Sequence, residues 1–150
     1  MPSVQSASHR AAATNEELPV MMEFVLDQAQ QAGLGGHALF QIELAVEEIL
    51  TNIIKYAYAE SQGDMAVECG LGPEGFWLVF RDQGPAFNPL EVDEPALDAT
   101  VQERQVGGLG LFLVRKFMDQ VEYQRQGEDN VLRVVKRAAP GLEDQEPVRN

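Results

Sequence analysis

Glu48 and Asn52 stand four residues apart in the run Glu48-Ile-Leu-Thr-Asn52-Ile-Ile-Lys55. On an α-helix that spacing stacks two side chains on one face, with Cβ atoms about 5–6 Å apart. Lys55 extends the face by a further turn. A carboxylate, an amide and an amine then project together from a segment otherwise rich in Ile, Leu and Val. One element can in this way supply a general base, a metal-binding oxygen and a phosphate contact. The competing reading is the solvated polar face of an ordinary amphipathic helix. In either case Ile42, Ala45, Val46, Ile49, Leu50, Ile53 and Ala57 recur at helical spacing and can bury the opposite side.

A second carboxylate ends a strand-like run. Asp82 shares the parity of Phe76, Leu78 and Phe80, so it faces a core if they do. A carboxylate there is costly unless it is hydrogen-bonded. Gly84 follows in Gln83-Gly84-Pro85-Ala86-Phe87, removing a side chain where a ligand could approach the backbone. A carboxylate beside bare backbone suits an exocyclic amine such as N6 of adenine. The alternative is a strand-end Asp closing a turn, because Asp-x-Gly-Pro is turn-rich sequence.

The third group is Gly107-Gly108-Leu109-Gly110, ahead of Leu111-Phe-Leu-Val-Arg-Lys-Phe-Met118. Glycines at a helix start leave N–H groups free at the positive end of the dipole, which favours phosphate. A flexible hinge accounts for the glycines equally well. No Gly-Lys-Ser/Thr follows, so this is not a P-loop, and the Gly-x-Gly-x-x-Gly dinucleotide fingerprint is absent here.

The elements that must position these groups follow from periodicity. Arg10–Thr14 reads as a short edge strand after a frayed 1–9. Thr14 or Asn15 caps a first helix from about Glu16, ending at Gly33. A second helix runs from about His37 to Tyr58. Met65, Val67 and Cys69 alternate on one face. With Gly70–Gly75 as a turn and Phe76–Phe80 as the partner strand, they form an antiparallel hairpin. Residues 88–105 are long, acidic and bear Pro89 and Pro95, the composition of a lid or binding loop. Leu109–Met118 is helical, Val121–Gln126 and Val131–Lys136 form a second hairpin, and 138–150 reads as a flexible tail. The expected fold is α/β (α+β): a two-layer sandwich with helices on one face of a mixed, mainly antiparallel sheet. The folded domain spans 10–137.

Composition narrows the function. With 150 residues and 45% apolar content the chain is one domain with a sizeable core. Its net charge of −13, from 24 acidic and 11 basic residues, opposes nonspecific attraction to nucleic acid and suits a basic protein partner. Cys69 is the single cysteine, which leaves no intrachain disulfide and no cysteine metal cluster. There is no apolar leader and no run of membrane-spanning length, so the expectation is a cytoplasmic protein without a membrane.

The three groups, in this order and spacing, resemble the GHKL (Bergerat-fold) ATP-binding superfamily of gyrase-, histidine-kinase- and MutL-type ATPases. Glu48-x-x-x-Asn52 matches its N box, Asp82-x-Gly84-x-x-Phe87 its first glycine box, and Gly107-Gly108-x-Gly110-Leu111 its second. The short chain and the run Glu43-Leu-Ala-Val-Glu-Glu-Ile-Leu-Thr-Asn52 look most like the RsbW/SpoIIAB-type anti-sigma factors. These are stand-alone serine kinases that bind a sigma factor and phosphorylate a STAS-domain anti-anti-sigma protein.

The resemblance implies ATP and Mg²⁺ as ligands and a homodimer as the assembly. It implies Glu48 as general base, Asn52 as Mg²⁺ ligand, and Asp82 as reader of adenine N6 with Gly84 permitting its approach. Gly107, Gly108, Gly110 and Leu111 would form the phosphate end, and Phe87 would pack below the nucleotide. Many RsbW-like proteins have His where Lys55 stands. Asn-x-x-Lys-Tyr is more like the histidine-kinase N box, which implies a phosphate contact for Lys55. Arg104 reads as a solvated lid residue, with phosphate contact the alternative.

Two other functions compete: a detached histidine-kinase catalytic domain, and a nucleotide-gated binding module without kinase activity. The first needs a phosphoacceptor His on a helical hairpin, and neither His9 nor His37 sits on one. A pure binding module has no use for the base Glu48. Gyrase- or MutL-like machines append transducer domains that this length of chain does not supply.

Overall fold

The structure, a computed structural model, describes residues 6–58, 62–86, 88 and 108–137, with backbone only for 108–111. Five strands make one sheet in the order β1-β2-β3-β5-β4: β1 Ala7–Ala12, β2 Asp64–Gly72, β3 Gly75–Asp82, β4 Gln120–Gln126 and β5 Asp129–Lys136. Every pairing among them is antiparallel, so the sheet, expected to be mixed, is wholly antiparallel within the described residues. Among the described residues three helices pack on one face: α1 Leu18–Gln31, α2 Gly36–Asn52 and α3 Gly108–Phe117. α2 lies between the other two and touches both.

Period-two alternation explains how one face of the sheet meets the helices. Met65, Val67 and Cys69 of β2, Phe76, Leu78 and Phe80 of β3, and Leu132 and Val134 of β5 are all buried there. They form one cluster with Met21, Val25 and Ala29 of α1, with Ile42, Val46, Ile49 and Leu50 of α2, and with Val114 of α3. Removing this much apolar surface from water is the main term holding the layers together. The opposite face is thinner. There Arg133, ion-paired with Glu74 and Glu122, lies between the buried Val131 and Val135.

Several boundaries differ from those read in the sequence. β1 begins at Ala7, so residues 7–9, expected to be frayed, pair with Cys69, Glu68 and Val67. Ala and Ser carry little strand signal, and the pairing comes from the partner edge and from His9 stacked on Phe24 at 5.5 Å. Thr14 makes no side-chain cap. A short 3₁₀ turn over Asn15–Glu17 leads instead to α1, with Pro19 in its first turn. α1 ends as expected at Gly33, whose φ of 98° only glycine adopts readily. The first hairpin turns tightly at Pro73-Glu74, so Gly70 and Gly72 belong to β2. β5 starts at Asp129, which makes Asn130 a strand residue and not a turn residue.

The second helix keeps α geometry only to Asn52. Ile53–Ala57 form a π-helical turn, and Tyr58 leaves the helix at φ −125°, ψ 55°. The Tyr58 hydroxyl donates to the Asp64 carbonyl at 2.7 Å and accepts the Gln83 N–H at 2.7 Å. These bonds anchor the end of the helix against the ends of β2 and β3, and a wide turn marks where such anchoring interrupts regular pitch.

Candidate active site

Glu48 and Asn52 are both half-buried on the last regular turns of α2, while Ile49, Leu50 and Ile53 bury the other side. The polar face expected from the sequence is therefore present. Burial pushes the Glu48 carboxyl above its ordinary value, Glu47 pushes it further, and Lys55 pulls it back. A carboxylate drawn upward toward neutrality is better matched to taking a proton near pH 7. Lys55 lies in the π turn, exposed, and off the row that a continuous α-helix would give it. Its charge nevertheless reaches Glu48.

Asp82 is the last residue of β3 and keeps the parity of Phe76, Leu78 and Phe80. It sits where the apolar face of the sheet gives way to polar residues. One row across the sheet reads Ala11, Met65, Asp82, Asn130 and Arg125 from β1 to β4. Asp82 Oδ1 accepts the Gly84 N–H at 2.9 Å and the Asn130 Nδ2 amide at 2.9 Å. The turn-closing role weighed for this Asp is thus real, and Oδ1 performs it. Among the described residues no donor reaches Oδ2.

Gly84 is buried, and the reason is specific. A Cβ built there would stand 2.6 Å from the Ala57 carbonyl oxygen, 2.7 Å from its Cα and 2.8 Å from its Cβ. The missing side chain lets the loop after Asp82 touch the end of the helix that carries Glu48 and Asn52. Two of the three sequence groups are in this way joined backbone to backbone.

The third group opens α3. Within the described residues the helix runs from Gly108, so Gly108 and Gly110 both lie on it. The first-turn N–H groups of a helix have no partner within it and lie at its positive end. Burial of Val114 and Met118 in the cluster shared with α2 fixes the axis of α3 beside α2. At the far end Lys136, in the same sheet face, donates to the Phe117 carbonyl at 2.9 Å and to Gln41 Oε1, tying the end of α3 to the start of α2. Phe87, Gly107, Arg104, the acidic lid segment and the 138–150 tail lie outside the described residues.

Sequence reading missed the residues that hold Asp82 in place. Asn130 is buried and donates from Nδ2 to the Pro85 carbonyl at 2.9 Å and the Gly84 carbonyl at 3.3 Å, besides Asp82. Its Oδ1 accepts from the Tyr123 hydroxyl at 2.5 Å and from Arg125 Nη1 at 3.2 Å. Arg125 Nη1 also donates to the Gly84 carbonyl at 2.8 Å. The only signal in the sequence was an Asn next to a run of apolar strand residues. A cavity of about 720 Å³ lies nearby, lined by Tyr56, Tyr58, Gln62, Gln83, Pro85 and Arg125 among others. Its walls do not include Glu48, Asn52 or Asp82, so it neighbours the chemistry of the three groups without containing it.

The sequence pattern of the family described as Histidine kinase-like ATPase domain matches residues 11–136. The chain belongs to the histidine kinase-like ATPase domain family. The matched span begins inside β1 and ends on the last residue of β5, so it takes in β2–β5 and α1–α3 of the described residues. Among similar proteins, the Serine-protein kinase RsbW of Listeria innocua is 31% identical over 115 residues, covering 69% of this chain and 70% of that protein. The protein of the same name from Bacillus cereus is 29% identical over 122 residues, covering 71% and 73%. The one from Bacillus mycoides is 26% identical over 103 residues, covering 63% and 61%.

Proposed function

We propose that the protein is an ATP-dependent protein-serine kinase of RsbW type. It would bind a sigma factor and transfer the γ-phosphoryl group to a serine of a STAS-domain partner. The observation that carries this is the juncture of Ala57 with Gly84. It places the Asp82 loop at the end of the helix that presents a half-buried carboxylate and a half-buried amide one turn apart. Similarity to proteins named serine-protein kinase supports the choice of reaction.

In this reading Asp82 Oδ2 accepts from the exocyclic amine of adenine, and the first-turn N–H groups of α3 receive phosphate oxygens. Glu48 takes the proton from the serine hydroxyl as its oxygen bonds to the γ-phosphorus and the bond to the β-phosphate oxygen breaks. The donor set fits Mg²⁺. Asn52 offers one hard amide oxygen beside Glu48, and this ion completes its shell with phosphates and water. Bound there, Mg²⁺ would draw charge from the phosphate oxygens. Lys55, whose charge lowers the Glu48 pKa, would contact phosphate.

Incubation with γ-labelled ATP and Mg²⁺, with and without a STAS-domain protein encoded nearby, tests the proposal. Label on a partner serine is the expected result. ATP bound tightly with no label on the partner would overturn the kinase reading and leave a nucleotide-gated binding module.

A further inference from the structure

The polar row at the end of the sheet has a fixed direction of hydrogen bonding. Arg125 has only donors, so the oxygen of the Asn130 amide must face it, and the Tyr123 hydroxyl adds a second donor to the same oxygen. The amide nitrogen is then turned the other way. Its two hydrogens meet Asp82 Oδ1 and the Pro85 carbonyl, each at 2.9 Å, with the Gly84 carbonyl a longer contact at 3.3 Å. A flipped amide would set oxygen against a carboxylate and two carbonyls. With 8% of its surface exposed, Asn130 has little water to compensate such a mismatch. The Gly84 N–H reaches Oδ1 as well, so both donors converge on one carboxylate oxygen.

We propose that Asn130, latched by Tyr123 and Arg125, is the positioning residue that sets adenine specificity. By holding Asp82 through Oδ1 it aims Oδ2 at the exocyclic amine of the base, while Arg125 holds the Gly84 carbonyl as well, so the loop keeps an anchor when Asn130 is lost. The inference rests on the proposed adenine-reading role of Asp82. Asn130 acts through that carboxylate and not on the phosphates. Its loss therefore removes recognition of one group on the base and leaves the remaining contacts of the nucleotide intact.

The test is a competition titration of the full chain with Mg²⁺ and two probes. These are ATP and purine riboside 5′-triphosphate, which lacks the amine and is otherwise the same. Wild type is expected to prefer ATP. Asn130→Ala lowers ATP affinity about tenfold, the loss expected of a hydrogen bond to a charged group. It leaves affinity for the purine riboside probe within about twofold, so the preference collapses. Tyr123→Phe, which removes one hydroxyl and keeps the ring, shows the same selective loss at about threefold, and this keeps the test usable if Asn130→Ala folds poorly. An equal fall for both probes would show a merely structural role and overturn the inference, as would unchanged preference in both variants. If wild type binds the two probes equally, it is the reading of Asp82 that fails first, and that result is distinct from either of these.

Discussion

Substitution of Gly84 by Ala tests the joint between the helix and the Asp82 loop. The added Cβ would stand 2.6–2.8 Å from three atoms of Ala57, two of them backbone, where no flexible side chain can move aside. Either the π turn or the loop must shift. Forcing a methyl group into a closed site costs about 1–3 kcal/mol. In a chain of this size each kcal/mol lowers Tm by roughly 2–4 °C, so a fall of about 4–8 °C is expected for a cost near 2 kcal/mol. Nucleotide affinity falls with it, because the shift moves the carboxylate that closes onto the Gly84 N–H. Gly35→Ala is the control: nothing lies within 4 Å of a Cβ there. Calorimetric melts and an ATP titration of both variants read the effect. If Gly84→Ala melts within 1 °C (about the scatter of such scans) of wild type and binds ATP as well, the joint is not as close as described and the reasoning is wrong.

Three further outcomes follow from the geometry. Lys55→Met removes the charge that lowers the Glu48 pKa, leaving burial and Glu47 to raise it; the acid limb of kcat/KM against pH then moves to higher pH, and a limb that stays put or moves down refutes the coupling. Cys69 is buried and its thiol is pushed up to about 11, first by burial and then by Glu68, so at pH 8 a disulfide reagent should modify it far more slowly in the native protein than in guanidinium. Tyr58→Phe strips the partner from the Gln83 N–H and the Asp64 carbonyl; a loss of about 1 kcal/mol in denaturant melts is expected, and no change would mean water replaces the hydroxyl at no cost.

The layers of the fold were legible because the core is built from strict periodicities. Phe76, Leu78 and Phe80 alternate, Ile42, Val46, Ile49 and Ile53 recur at helical spacing, and both patterns name the buried face directly. What stayed hidden depends on contacts between distant segments. The π turn at Ile53–Ala57 has an ordinary helical sequence, and its cause lies in Tyr58 reaching Asp64 and Gln83. In sequence Gly84 suggests room for a ligand, whereas the side it leaves bare meets Ala57. Asn130 falls in sequence between the strands expected at Val121–Gln126 and Val131–Lys136, where Gly127-Glu-Asp-Asn130 is turn-like. Only the register, which sets it opposite Asp82 and Arg125, gives it a role. The expectation for Asp82 needed no such pairing, since its parity with three aromatic and aliphatic neighbours put it on the core face.

The account stands on Glu48 as the base of a phosphotransfer to a separate protein. The most direct measurement maps phosphoserine on a purified STAS-domain partner after incubation with ATP and Mg²⁺, using wild type and Glu48→Ala side by side, with ATP affinity measured on both. The account predicts phosphoserine with wild type, a rate lower by about 10²–10⁴ with Glu48→Ala, and similar ATP affinity for the two. Equal transfer by both proteins would contradict it.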